Sequence, residues 1–145
     1  MKWMVLLLTF VATSACAQVR IDDPWTRATP PGAKVGAGYM KITSPAADRL
    51  IGASSPAAAR VELHVTEKKG DVMRMREVNS LPLTPGQAVE LKPGSYHFML
   101  MDLKAQFKPD VRVPLTLRFR DAKGAERTTT VSLPVAMGAP MQHKH

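Results

Sequence analysis

The segment Tyr96-His97-Phe98-Met99-Leu100-Met101 decides the fold class. Its large core-forming side chains stand at every second position: Tyr96, Phe98 and Leu100. The positions between them hold side chains that can bind a metal: His97, Met99 and Met101. Successive side chains of a β-strand point to opposite faces. The segment therefore predicts a strand with one face on the core, and it places the histidine and the methionines on the other face, near the surface.

Short segments of the same kind recur along the chain. In residues 61–65, Val61, Leu63 and Val65 alternate with Glu62 and His64. Twelve prolines and nine glycines separate such segments, which is typical of an all-β domain. The segments are residues 38–43, 49–54, 61–65, 72–78, 89–91, 96–101, 113–119 and 127–133. The count of about seven to nine short strands predicts a β-sandwich or a small Greek-key barrel.

The first residues have the features of a signal peptide. Lys2 precedes a short apolar run, which ends in the small-residue triplet Ala15-Cys16-Ala17. We expect residues 1–17 to be removed, residues 18–135 to form one domain and residues 136–145 to form a flexible tail. The alternative is a lipoprotein signal, in which Cys16 is acylated. If cleavage follows Ala17, no cysteine remains for a disulfide or a thiolate ligand.

Charge and motifs exclude several classes of function. Removing residues 1–17 lowers the net charge only from +8 to +7, because Lys2 is their one charged residue. The basic residues are scattered and have few aromatic residues between them, so a basic surface is favoured over nucleic-acid binding. No Ser/His/Asp motif, paired carboxylate arrangement or phosphate-binding glycine loop is present. The protein is not expected to be an enzyme, and we expect no membrane insertion of the mature chain.

The potential ligands favour copper. Seven methionines lie beyond residue 17, and a thioether is a soft ligand that prefers Cu(I). Zinc sites use His, Cys or carboxylate ligands, and a blue-copper site needs a thiolate. A site of histidine and methionine therefore indicates storage or transfer of Cu(I).

Four residues carry a family resemblance. His64, Met75, His97 and Met99 have the spacing His-x10-Met-x21-His-x-Met, which is the motif of the PCu(A)C copper chaperones. The resemblance extends over roughly residues 20–134. It includes the segments Trp25-Thr26-Arg27-Ala28-Thr29-Pro30-Pro31-Gly32, Ala47-Asp48-Arg49-Leu50, Val61-Glu62-Leu63-His64 and Leu91-Lys92-Pro93-Gly94-Ser95-Tyr96-His97.

This resemblance implies a fold, a site and a role. The fold is a cupredoxin-like Greek-key β-sandwich, and the site binds Cu(I) through His64, Met75, His97 and Met99. The role is delivery of copper in the periplasm to cytochrome c oxidase, with the oxidase copper subunit or SCO-type proteins as partners. The alternatives are copper storage or resistance, a copper redox protein, and a structural sandwich without metal.

Other methionines and histidines have different expected roles. Met73 and Met101 are expected to flank the site, whereas Met40 and Trp25 are expected to serve packing. The tail is a second candidate metal site, because short histidine-rich tracts bind metals, here Cu(II) as well as Cu(I). Its ligands are Met137, Met141, His143 and His145.

Overall fold

The computed structural model describes residues 18–139, and within them it contains ten β-strands and no helix. The all-β prediction is confirmed. No helix in this range is long and apolar enough to cross a membrane. The strands are β1 (Arg20–Arg27), β2 (Val35–Thr43), β3 (Asp48–Ser54), β4 (Ala58–Lys69), β5 (Val72–Glu77), β6 (Leu81–Leu83), β7 (Ala88–Leu91), β8 (Tyr96–Leu103), β9 (Arg112–Asp121) and β10 (Glu126–Ala136).

The ten strands form one β-sheet, which folds over into two layers. Their order is β5-β4-β8-β2-β1-β10-β9-β3-β6, and β7 pairs separately with β2. All pairings are antiparallel except that of β1 with β10. A single additional pair, Ala53 with Val61, joins β3 to β4 and closes the sheet on itself. The strands β5, β4 and β8 are therefore neighbours at one end of this order.

Strict alternation builds the core between the layers. In β9, Val113, Leu115, Leu117 and Phe119 are all buried, and most of the residues between them are exposed. Phe98 and Leu100 of β8 face the same core and have no exposed surface. Full burial of each such side chain stabilises the folded state by about 1.5–3 kcal/mol. The core face of β8 is therefore the one predicted from the sequence.

Two strands have no clear signal in the sequence. β1 carries four charged residues and a proline, and its register shifts between Asp22 and Trp25, where Asp23 has a positive φ of 49°. β6 has only three residues, Leu81–Leu83. The irregular β1 and the short β6 bring the number of strands to ten, one above the upper end of the prediction.

Candidate metal site

The two histidines of the motif lie directly opposite each other. His64 on β4 pairs with His97 on β8, and their ring centroids are 6.1 Å apart with planes inclined by 29°. Two imidazoles on one metal ion, each bonded at about 2.0–2.1 Å, have centroids no more than about 6.4 Å apart. The separation of the rings is therefore compatible with binding of one ion by both.

The two methionines of the motif flank His64 on either side. Met99 lies two residues beyond His97 on β8 and pairs with Glu62. Met75 lies on β5, where it pairs with Thr66, two residues beyond His64. Each methionine is thus a diagonal neighbour of His64. Residues in such diagonal positions lie about 7–8 Å apart, a distance that long side chains can bridge. Cross-strand partners share a face, so all four residues belong to one face of three adjacent strands.

The four residues differ in exposure. His97 is buried, with 4% of its surface exposed, whereas Met75 is 56% exposed. Aromatic rings lie beside His97: Tyr39 is 6.4 Å from it, and Trp25 is 4.7 Å from Tyr39, measured between centroids. This face is opposite the one that packs into the main core, on which Leu63 pairs with Phe98. The expectation that this face of β8 lies near the surface is wrong for His97.

Hydrogen bonds fix which nitrogen of each histidine is free. The Nδ1 of His97 is 2.9 Å from the carbonyl oxygen of Ser95, and a carbonyl can only accept. His97 therefore donates from Nδ1 and keeps a lone pair on Nε2. The carbonyl of Ser95 is held by a turn, in which Gly94 adopts a φ of +84° and the amide of Ser95 donates to Lys92.

His64 is held in the opposite way. Its Nε2 is 2.8 Å from Oε2 of Glu62, while its buried Nδ1 has no hydrogen-bond partner among the described residues. Arg60 donates from Nε to the other oxygen of Glu62 at 2.9 Å. Hydrogen bonds from His64 and from Arg60 lower the pKa of the Glu62 carboxyl below its usual value. Glu62 is therefore ionised at neutral pH and can only accept, so His64 donates from Nε2.

The donor set suits a soft metal. Across residues 18–139 no group of three His, Cys, Asp or Glu side chains is placed to hold a metal ion. Zinc normally requires such a group. The nitrogen donors here are two imidazoles, and the further donors on the same face are thioethers, which favour Cu(I).

The other residues singled out from the sequence lie partly on this face and partly in the interior. Met40 is fully buried in the core, as predicted. Met73 and Met101 share the face of the motif, because they pair with Lys68 and Arg60 respectively. Trp25 is buried against Tyr39, as expected of a packing residue, but it lies outside the main core.

The terminal predictions are only partly covered by the structure. Met137 follows β10 and is 76% exposed. The other proposed tail ligands, Met141, His143 and His145, lie outside the described residues, as does the proposed signal peptide at residues 1–17.

Comparison with known proteins identifies the family. The LpqE-like family model matches residues 19–135. The chain belongs to this family. A relative from Leifsonia xyli subsp. xyli, "Putative lipoprotein Lxx21020", is 33% identical over 118 residues, which are 81% of this chain and 69% of the relative.

Solved structures of PCuAC domains share this fold. The copper-bound PCuAC domain from PmoF2 is 26% identical, covers 87% of this chain and 97% of its own, and gives a TM-score of 0.65. CuI-DR1885 from Deinococcus radiodurans is 29% identical, covers 86% of this chain and 84% of its own, and gives a TM-score of 0.60. The resemblance to the PCu(A)C family and the cupredoxin-like sandwich are confirmed.

The motif does not include every residue that shapes this face. Glu62 and Arg60 share a strand face with His64, and the alternation of residues 61–65 already put Glu62 beside it. Ser95 lies only two residues before His97, whereas Tyr39 comes from β2. The part of Tyr39 in the site depends on the pairing of β2 with β8, which the sequence alone does not show.

Proposed function

We propose that this LpqE-like protein is an exported copper chaperone, which binds one Cu(I) through His64, Met75, His97 and Met99. The observation that carries the proposal is the arrangement around His64. It has a second histidine directly opposite and a methionine diagonal to it on each neighbouring strand.

The residues divide into a fixed part and an exchangeable part. His97 is buried and hydrogen-bonded to the backbone, so its ring is held in place. Met75 stands on the edge strand β5, of which every residue is exposed. A thioether at an exposed edge can be replaced by a ligand from another protein without unfolding of the sheet. This arrangement supports handing the metal on, rather than retaining it or reducing a substrate with it.

The relatives support the same function. Copper-bound and CuI forms are named among the solved PCuAC structures, and a curated relative is named as a lipoprotein. We infer export to the periplasm by the signal at residues 1–17, with Cys16 as the residue to be acylated if the protein is anchored. The proposed recipients are respiratory copper centres, reached through the oxidase copper subunit or SCO-type proteins. The tail at residues 136–145 is proposed to collect further copper, including Cu(II).

A matched pair of variants tests the proposed site. Met73 and Met75 stand on the same strand and the same face, and are 57% and 56% exposed. Met75→Leu is expected to weaken Cu(I) binding, measured by competition with bicinchoninate on residues 18–145. Met73→Leu is expected to leave the affinity within about threefold of the parent, because Met73 is not proposed as a ligand. Equal affinities of both variants and the parent would exclude Met75 from the site.

Transfer is tested separately. Cu(I)-loaded protein is mixed with the copper-free soluble domain of an oxidase copper subunit, and the two are separated by chromatography before copper is measured. Copper is expected in the recipient. Retention of all copper by a protein that binds it tightly would indicate storage instead.

A further inference from the structure

The two histidines present different nitrogens on the face of the proposed site. Ser95 occupies Nδ1 of His97, and Glu62 occupies Nε2 of His64. The nitrogen left without a partner on His64 is Nδ1, which is buried. A buried polar atom without a hydrogen bond costs about 1–3 kcal/mol, so its presence here requires an explanation.

We propose that Glu62, anchored by Arg60, is a positioning residue that fixes the tautomer of His64 and so presents Nδ1 to the metal. The inference rests on the proposed copper function and adds to it the residues that prepare the ligand. Hydrogen-bond partners of this kind orient a metal-binding imidazole and raise its basicity, and their loss typically costs 10–100-fold in metal affinity.

Arg60 is the reason that Glu62 has a fixed orientation. It donates to Oε1 of Glu62 at 2.9 Å and to Oδ2 of Asp102 at 3.1 Å. Arg60 thus bridges β4 and the end of β8. With Oε1 engaged by a guanidinium, Oε2 is turned toward His64.

An almost isosteric variant reverses the tautomer. In Glu62→Gln, the guanidinium of Arg60 can only donate, so it takes the single amide oxygen and leaves the amide NH₂ facing Nε2 of His64. The NH₂ donates to Nε2, and His64 must then carry its proton on Nδ1. We expect the apo protein to switch from the Nε2–H to the Nδ1–H tautomer, and Cu(I) affinity to fall about 10–100-fold.

Two further variants separate this effect from loss of charge or fold. Glu77 pairs opposite His64 on β5, and no hydrogen bond between it and the ring occurs within residues 18–139. Glu77→Gln removes the same charge from the same face and is expected to leave tautomer and affinity unchanged. Adding Arg60→Met to Glu62→Gln frees the amide to turn its oxygen toward His64, which should restore the Nε2–H tautomer and part of the affinity.

The tautomer is read from long-range ¹H–¹⁵N correlations of the histidine ring in the apo protein at pH 8, before any copper is added. Cu(I) affinity is then measured with bicinchoninate. An Nδ1–H tautomer in the parent overturns the inference, as does a Glu62→Gln variant that keeps the parent's tautomer or its affinity. A parent with the expected tautomer that binds no Cu(I) would refute the proposed function instead, so the two failures are distinguishable.

Discussion

Replacing Met99 with leucine separates binding from folding. Met99 is half-buried on the outer face of β8 and is not part of the main core. Leucine nearly conserves its volume, and such exchanges usually cost less than about 1.5 kcal/mol of stability. The thioether, however, is lost from the proposed site. We expect Cu(I) affinity to fall by at least about 100-fold, which corresponds to about 2.8 kcal/mol of binding free energy.

The assay has two parts and two controls. Urea denaturation of the copper-free protein gives the change in stability, and competition with bicinchoninate gives the change in Cu(I) affinity. Met101→Leu changes a half-buried methionine on the same face of β8, and Met40→Leu changes one in the core. Both controls should bind Cu(I) within about threefold of the parent. The reasoning is refuted if Met99→Leu binds Cu(I) as tightly as these controls do.

The remaining predictions concern packing, a buried charge and the tail. A Cβ added at Gly36 would lie 2.8 Å from the ring of buried Phe107, so Gly36→Ala should lower the free energy of unfolding in urea by about 1–3 kcal/mol. Arg127 pairs with Asp48, whose side chain is only 1% exposed. Arg127→Leu leaves that buried carboxylate without its positive partner and should lower the free energy of unfolding by about 2–3 kcal/mol in the same assay. This is less than the roughly 3–5 kcal/mol lost when a fully buried pair is broken, because Arg127 is itself partly exposed. Truncation before Met137 should leave the free energy of unfolding and the Cu(I) affinity unchanged. It should reduce the Cu(II) stoichiometry measured by calorimetry, because His143 and His145 are removed. Equal Cu(II) stoichiometry of the full-length and truncated proteins would show that the tail binds no Cu(II).

The strand pattern could be predicted where local alternation is strong. Residues 96–101 and 113–119 have one apolar face, and both became strands with that face in the core. β1 could not be predicted, because its charges, its proline and its bulge hide the alternation. Tertiary pairing with β2 and β10 makes it a strand.

The site shows the same division between local and long-range information. The sequence placed His97 and Met99 on one strand face, and His64 on the corresponding face of another strand. The opposition of His64 and His97 depends on the register of β4 against β8. The burial of His97 depends on its surroundings in the folded chain, including Tyr39 from β2. Residues that are distant in the chain therefore determine how the ligands are presented.

The most direct test of the proposed copper site is X-ray absorption at the copper edge. The sample is protein ending at Ala136, loaded with one equivalent of Cu(I), so that the tail contributes no ligand. The first shell is expected to contain two nitrogen scatterers, from His64 and His97, and two sulfur scatterers, from Met75 and Met99. A first shell of nitrogen and oxygen alone would contradict the account.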